Sequence, residues 1–291
     1  MKFEKTWVGN FEGAFRGLRN PKNSWDKSDS FFGLIHTDYT EADSEIAHNW
    51  VKKFQPKMLD EYDCILPKGY DLLDEYAQKL IDNGILKINY DNSVADVAFI
   101  GPNDMKLAQT LIKAGSEHRK FLRQIFVSVD VTAPMYFFSE FDTYKVATVA
   151  NSTSKMHKLT SKPITLDCFE IDDMNSDLEY YRGNTIEMLS EVIIEQLEFL
   201  RQKYLETKDK KYWKELVRWL PEGWLQTRTW TANYETIRAM CSPGQRRNHK
   251  LNEWSGIDDD SKETFIKWAR QLPYAQYLIF DDENIPFQIE K

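Results

Sequence analysis

In the stretch IFVSVDV (residues 125–131) apolar residues alternate with polar ones. This period of two predicts a β-strand with one buried face. The apolar run VADVAFI (residues 94–100) predicts a second, buried strand. Apolar residues at helical spacing elsewhere predict helices over residues 42–55, 68–83, 102–114, 184–204, 211–219, 229–241 and 261–271. The sequence therefore predicts an α+β fold, rich in helix and with a small sheet.

The chain has 291 residues, a length that one large domain can account for. It has no internal repeat and no low-complexity segment. The charged run KDKK (residues 208–211) predicts a loop that is too short to mark a domain boundary, and Pro243-Gly244 predicts a turn. We therefore expect residues 1–291 to form a single domain.

Composition limits the class of protein. Hydrophobic residues make up 42% of the chain and the formal net charge is −8. A substantial core is therefore expected, and nonspecific binding to duplex DNA is not expected as the main role, because phosphate contacts need a basic surface. A local basic pocket for a small anion is still compatible with this charge.

We expect a soluble, cytoplasmic protein for three reasons. The chain has three cysteines, an odd number that argues against a disulfide framework. The stretch MKFEKTWVGNFEG (residues 1–13) is not an apolar leader, and no apolar run approaches the length of a membrane span. No cysteine lies in an obviously basic context that would activate it. Metal-ligand spacings, a glycine-rich dinucleotide loop and a Walker loop are not found. The arginines of the opening helical pattern, Arg16 and Arg19, are interpreted as solvent-exposed.

A polar segment (residues 140–158) follows the apolar run APMYFF (residues 133–138). Its lysines, hydroxyls and amide suit a phosphate and a ribose, since lysine acts as a point charge and hydroxyls add short hydrogen bonds. Arg218, Arg246 and Arg247 could add bidentate donors. Ordinary caps and turns remain an alternative interpretation of the segment. The donors are Lys145, Thr148, Asn151, Thr153, Ser154 and Lys155.

The order of these residues resembles the signature of the flavin-dependent thymidylate synthases, R-H-R-x-x-S-x-N-E-x-S-x-R-Y. Laid over residues 143–156 without gaps, the signature meets conservative replacements at Lys145, Thr148, Thr153 and Lys155, and Asn151 in place of glutamate. Thr143, Tyr144, Ala150 and Met156 depart from it. The flanks are also similar, and the resemblance covers about residues 115–255. The matching flanking residues are His118, Glu140, Leu220-Pro221, Trp230 to Asn233, Arg246-Arg247 and Glu253-Trp254.

The resemblance implies reductive methylation of dUMP or a related pyrimidine nucleotide, with reduced FAD as the cofactor and NADPH and methylene-tetrahydrofolate as co-substrates. No protein nucleophile is then required. It also implies a homotetramer whose active site lies between subunits. By resemblance, the catalytic residues are His118, Asn151 and Thr153, and the flavin-binding residues are His118, Thr143, Tyr144, Lys145 and Asn233. The residues that would hold the nucleotide are Glu140, Asn151, Thr153, Lys155, Arg218, Arg246 and Arg247.

Other interpretations stay open at this point. The departures at Thr143, Tyr144 and Asn151 favour a protein that binds a nucleotide on the same fold without redox chemistry. A helical interaction protein with no small ligand is a third possibility. Taken alone, His118 could begin a helix, act as a base or contact a cofactor.

Overall fold

The computed structural model describes residues 1–36, 86–89, 94–172, 174–257 and 262–284. The helices predicted at 42–55 and 68–83 lie outside the described residues. The strands are β1 (Lys2–Gly9), β2 (Phe31–His36), β3 (Leu86–Asn89), β4 (Val94–Phe99), β5 (Phe126–Pro134), β6 (Val149–Ser152), β7 (Glu179–Tyr181), β8 (Asn184–Thr185) and β9 (Leu225–Asn233). The α-helices are α1 (Phe11–Arg19), α2 (Pro102–Lys113), α3 (Met135–Phe141), α4 (Lys155–Lys158), α5 (Ile186–Thr207), α6 (Lys210–Trp219), α7 (Tyr234–Met240), α8 (Asn252–Ser255), α9 (Phe265–Arg270) and α10 (Ala275–Leu278). This mixture confirms the predicted α+β class.

The chain divides into two compact units, which are described separately. The first unit comprises Met1–Thr6, Ser128–Thr231 and Asp259–Thr264. The second comprises Trp7–Val127, Ala232–Asp258 and Phe265–Lys291. The expectation of a single domain stays a prediction.

The main sheet has four strands in the order β1-β5-β9-β6. Strand β6 pairs with β9 in antiparallel register and lies at one edge of the sheet. On β5, Val129, Val131 and Ala133 are buried, so the alternation of residues 125–131 is confirmed and the strand continues to Pro134. The inward face of the strand is therefore the apolar one, as the period of two requires.

Helix α3 follows β5 without a loop and buries three phenylalanines in the first unit. The Phe141 ring lies 4.6 Å from that of Trp230 on β9, centroid to centroid. A second apolar cluster holds helices α5 and α6 against the loop that follows α4; its buried members are Leu159, Ile164, Phe169, Leu197 and Leu216. These contacts anchor α3 and the loop after α4, which lie on either side of the polar segment.

The second unit is built around aromatic side chains. Phe11 of α1 packs edge-on against Tyr234 and Tyr274, with ring centroids 5.7 and 5.9 Å apart. The Tyr234 hydroxyl donates to the Pro273 carbonyl at 2.7 Å, which satisfies its one buried polar atom. A separate antiparallel sheet in this unit has the order β2-β4-β3.

Two sequence interpretations are wrong. Arg19 is buried and its Nε donates to Asp104 at 2.5 Å, whereas Arg16 is exposed as expected. The helix predicted over 229–241 is instead the end of β9 followed by α7. The side chain of Asn233 ends the strand and caps the helix by accepting from the Thr236 N–H at 3.0 Å, so one predicted element is two.

Candidate functional site

The polar segment runs from the end of α3 through β6 to α4, within the first unit. Helix α3 is anchored by its buried phenylalanines, and Asp142 closes its last turn by donating its backbone N–H to Phe138 at 2.9 Å. Ala147 then adopts a left-handed conformation with φ 54°, which turns the chain toward β6. All four residues of β6 are exposed. The segment is therefore presented to solvent from a rigid base.

Pairing of β6 with β9 sets the direction of each side chain. Asn151 lies opposite Thr229, and the Thr153 N–H continues the pairing by donating to Thr227 at 2.9 Å. Since alternate residues share a face, Asn151 and Thr153 lie on the same face of the sheet as Thr227 and Thr229. The structure thus brings together two residues predicted for the nucleotide.

A row of cross-strand polar pairs occupies this face of β5 and β9. The hydroxyls of Thr132 and Thr227 lie 2.8 Å apart, and the Thr229 hydroxyl donates to the Asp130 carboxylate at 2.5 Å. This hydrogen bond, together with Lys5, lowers the pKa of Asp130 below its ordinary value. We call these pairs, with Ser128 and Thr231, the hydroxyl row. It gives the sheet face a polar character next to Asn151.

The two lysines of the segment differ in environment. Lys155 is half-buried and its Nζ lies 3.2 Å from the Sδ of Met135, whereas Lys145 is exposed. A thioether is a weak acceptor, so this contact orients the ammonium without neutralising it. Ser154 supports the turn by accepting from the His157 N–H at 3.3 Å. Lys155 is therefore a held cation that keeps capacity to bind an anion.

The predicted flavin triplet, Thr143 to Lys145, retains one cation. The Thr143 hydroxyl donates to the Glu140 carbonyl at 2.7 Å and so takes part in ending α3. The Thr148 hydroxyl likewise donates to the Tyr144 carbonyl at 2.7 Å. The triplet thus offers one cation, Lys145, to an anionic cofactor.

Two further predicted residues belong to the first unit. Glu140 is half-buried near the end of α3, and Arg218 lies exposed on α6, where its guanidinium pairs with Glu215. An exposed pair of this kind contributes little to stability, so the guanidinium is available for exchange to another anion. Its role toward a nucleotide stays a prediction.

The second unit holds the other four predicted residues. His118 is exposed in the turn after α2. Asn233 is buried and caps α7. The Arg246 guanidinium lies 4.7 Å from the centre of the Trp254 ring, and that of Arg247 pairs with Asp282 at 2.7 and 2.8 Å. Asn233 and Arg247 thus have stabilising roles here, and their ligand roles stay predictions.

Sequence reasoning missed Arg228 and Gln226 on β9. Arg228 lies opposite Ser152 in the strand register, and the Gln226 amide donates to the Thr153 carbonyl at 2.8 Å. Both side chains lie on the inward face of β9, and the Arg228 guanidinium lies over the Phe138 ring. The signal in the sequence is weak: an arginine and a glutamine alternating with Trp230 on one face of a strand. Only the pairing of β6 with β9 brings them to the segment.

Two general findings concern the described part of the chain. None of its helices is long and apolar enough to cross a membrane. Within the same residues, no three histidine, cysteine, aspartate or glutamate side chains are grouped so that they could hold a metal ion.

Comparison with known proteins gives matches among solved structures only. No protein-family model and no curated protein matches the chain. The flavin-dependent thymidylate synthase ThyX from Helicobacter pylori, complexed with FAD and dUMP, is similar over 62% of this chain and 84% of its own, with 16% identity and a TM-score of 0.44. The UMP/dUMP methylase PolB from Streptomyces cacaoi, bound with 5-Br dUMP, is similar over 64% of this chain and 83% of its own, with 12% identity and a TM-score of 0.42. The first bears the name of the family that residues 143–156 resemble.

Proposed function

We propose that the chain binds a pyrimidine nucleotide, dUMP or a close relative, at the polar segment and methylates it reductively with FAD. The observation that carries the proposal is the ammonium of Lys155, which is held against the Met135 thioether and forms no ion pair with another described residue. It lies near Thr153 and Asn151, at the edge of a polar sheet face. A phosphate binds well to a lysine that is oriented and partly desolvated, because water screens the attraction less.

Each residue has a role in this proposal that its environment permits. Lys155 and Thr153 would hold the phosphate, and Arg218 would exchange its exposed pairing with Glu215 for the nucleotide. Asn151, an amide in the place of a carboxylate, would hydrogen-bond the base. Glu140 would stay beside the nucleotide at the end of α3. The further contributions of His118, Arg246 and Arg247 rest on the resemblance alone.

Bound FAD would supply the hydride that reductive methylation needs. Lys145 fits this cofactor as a cation for its phosphates, and Tyr144 offers a ring that could stack on it. This chain's own contribution is to orient the nucleotide with fixed side chains, because holding the nucleotide in a reactive geometry lowers the entropic cost of its reaction with the cofactor. NADPH, methylene-tetrahydrofolate, a homotetrameric assembly and a cytoplasmic location belong to the same proposal through the resemblance.

A second function is favoured by one observation. The triplet Thr143 to Lys145 has one cation where the signature has three basic residues, and the Thr143 hydroxyl already donates to the Glu140 carbonyl. A protein of this kind would bind the nucleotide and perform no redox chemistry.

Absorbance and calorimetry separate these functions. The enzyme hypothesis expects purified protein to carry flavin absorbance, or to gain thermal stability from added FAD as well as from dUMP. The binding hypothesis expects stabilisation by dUMP only. Protein that is colourless and stabilised by neither ligand would contradict both and would favour an interaction protein.

A further inference from the structure

We infer that Arg228 and Gln226 are positioning residues that hold together the two ends of the nucleotide segment, defined as residues 143–153. We call these two side chains the clamp. The inference rests on the proposed function for its consequence in binding. Its structural part concerns residues of the first unit only, and it can be measured without a ligand.

The first half of the clamp joins Arg228 to the start of the segment. Its Nη1 donates to both carboxylate oxygens of Asp142, at 2.8 and 2.9 Å. Its guanidinium also lies 3.9 Å from the centre of the Phe138 ring, and only 13% of the side chain is exposed. Because Phe138 is fully buried, the stacked guanidinium has a fixed plane.

The second half joins Arg228 to the end of the segment. Its Nε donates to the Oε1 of Gln226 at 3.0 Å, and the Nε2 of Gln226 donates to the Thr153 carbonyl at 2.8 Å. The arginine donor requires an oxygen on its side of the amide, so it directs the NH₂ group of Gln226 toward Thr153. Hydrogen bonds therefore run without a break from Asp142, just before the segment, to Thr153 at its end.

The clamp matters because β6 is a short edge strand with no buried side chain. Its own packing does little to hold the distance between Lys145 and Lys155. A site that is fixed before binding loses less conformational freedom when the ligand arrives, and so binds more tightly. Arg228 thus acts on the nucleotide through the geometry of the segment and without touching it.

Hydrogen exchange and dUMP calorimetry on the full chain test the clamp. In Arg228→Gln and in Gln226→Glu we expect amide exchange over residues 143–153 to rise about tenfold, with exchange in α5 unchanged, and dUMP affinity to fall about tenfold. Gln226→Glu keeps the acceptor for Arg228 and removes the donor to Thr153. Arg182→Gln is the matched control, since Arg182 is exposed and lies over the Tyr181 ring at 4.9 Å. It should change neither readout.

Arg228→Lys separates positioning from simple charge. Arg228 reaches Asp142 from Nη1 and Gln226 from Nε, and a lysine lacks this planar fork, so Arg228→Lys should resemble Arg228→Gln in both readouts. Wild-type affinity in Arg228→Lys, or unchanged exchange over residues 143–153 in both Arg228→Gln and Gln226→Glu, would overturn the inference. If the wild-type chain binds no dUMP, the proposed function fails, and the exchange comparison alone then decides the clamp.

Discussion

At the scale of single residues, Lys155 is the side chain on which the nucleotide site most depends. Its ammonium is held against the Met135 thioether, and a phosphate would replace this weak partner with a strong one. We expect Lys155→Ala to weaken dUMP binding about tenfold or more, since a charged hydrogen bond contributes about 1.5–3 kcal/mol. Titration calorimetry measures the change. Lys158→Ala, at the other end of α4 and exposed, should bind as the wild type does. Equal affinity of Lys155→Ala and wild type for dUMP would show that the nucleotide does not bind at the polar segment.

Arg19 offers a test of stability at the same scale. Its buried guanidinium compensates Asp104, which is fully buried and also accepts from the hydroxyls of Ser28 and Ser30. We expect Arg19→Met to lower the free energy of unfolding by about 3–5 kcal/mol, because it leaves a buried carboxylate without its counter-charge.

The control for this prediction lies one turn away on α1. Arg16 is exposed and pairs with Glu12 at 3.4 Å, so Arg16→Met should change stability by less than about 1 kcal/mol. Urea unfolding of the two variants gives the comparison. Similar losses in both would show that the Arg19–Asp104 pair contributes no more than an exposed one.

The sequence predicted the polar residues of the segment, and it could not predict their partners. Lys155 and Thr153 stand out because charged and hydroxyl side chains follow an apolar run. The environment of Arg19 depends on Asp104, 85 positions away, and nothing in the local pattern marks that pair. Sequence spacing reports which face a residue lies on, whereas partners at long range come from tertiary packing.

At the scale of elements, an ion pair joins α5 to the loop after α4. Glu198 accepts from the Nε of Arg201 at 2.7 Å and from the Ile164 N–H at 2.8 Å, and Arg201 donates to the Thr160 carbonyl. The Arg201 hydrogen bond is the largest cause of the drop in the Glu198 pKa from 4.5 to about 2. A carboxylate with a lowered pKa stabilises the fold above its unfolded pKa, and this stability is lost as the pH falls from about 4.5 toward 2.

Thermal unfolding between pH 7 and pH 3 checks this dependence. We expect Glu198→Gln to lower Tm at pH 7 and to narrow the gap from the wild type as the pH falls below 4.5. Glu206→Gln removes an exposed pair with Lys203 on the same helix, and its Tm should follow the wild type throughout. A constant gap between Glu198→Gln and wild type over this range would contradict the assignment.

Element boundaries show where sequence patterns succeed and fail. Helix α5 was predicted from a long apolar repeat and begins two residues after the predicted start, where Thr185 caps it. The helical spacing in residues 229–241 predicts a helix where β9 ends, because the alternation of Trp230 and Ala232 is too short to indicate a strand. Strand β6 has four exposed residues, so it carries no apolar alternation that a sequence could reveal.

At the scale of the whole molecule, thiol reactivity reports global unfolding. Cys241 is fully buried, and burial raises the pKa of its thiol well above the ordinary value, whereas Cys168 is half-buried. The reactive form of cysteine is the thiolate. In a Cys64→Ser background, which removes a cysteine outside the described residues, we expect Cys168 to react with a disulfide reagent in the native protein.

Cys241 should then react only at denaturant concentrations that unfold the chain. Peptide mapping after brief labelling distinguishes the two sites. Rapid labelling of Cys241 in native buffer would show that its surroundings open without global unfolding.

Much of the α+β class follows from two patterns, the alternation in 125–131 and the long helical repeat near 184–204. The division into two compact units does not, since each unit gathers stretches far apart in the chain, such as residues 1–6 and 128–231. Likewise, the candidate site was predicted as a list of donors. Its order in space comes from β9, whose register sequence patterns do not specify.

The hydroxyl row has a consequence for how the sheet assembles. Its pairs link residues 95 to 103 positions apart, so the pairing of β5 with β9 closes a long intervening chain, which slows folding. A shift of one position would turn Val129 and Val131 outward to water and press Asp130 into the apolar interior. A shifted pairing of the two strands would therefore be unstable. The polar side chains of one sheet face thus also specify the register that buries the apolar residues of the opposite face.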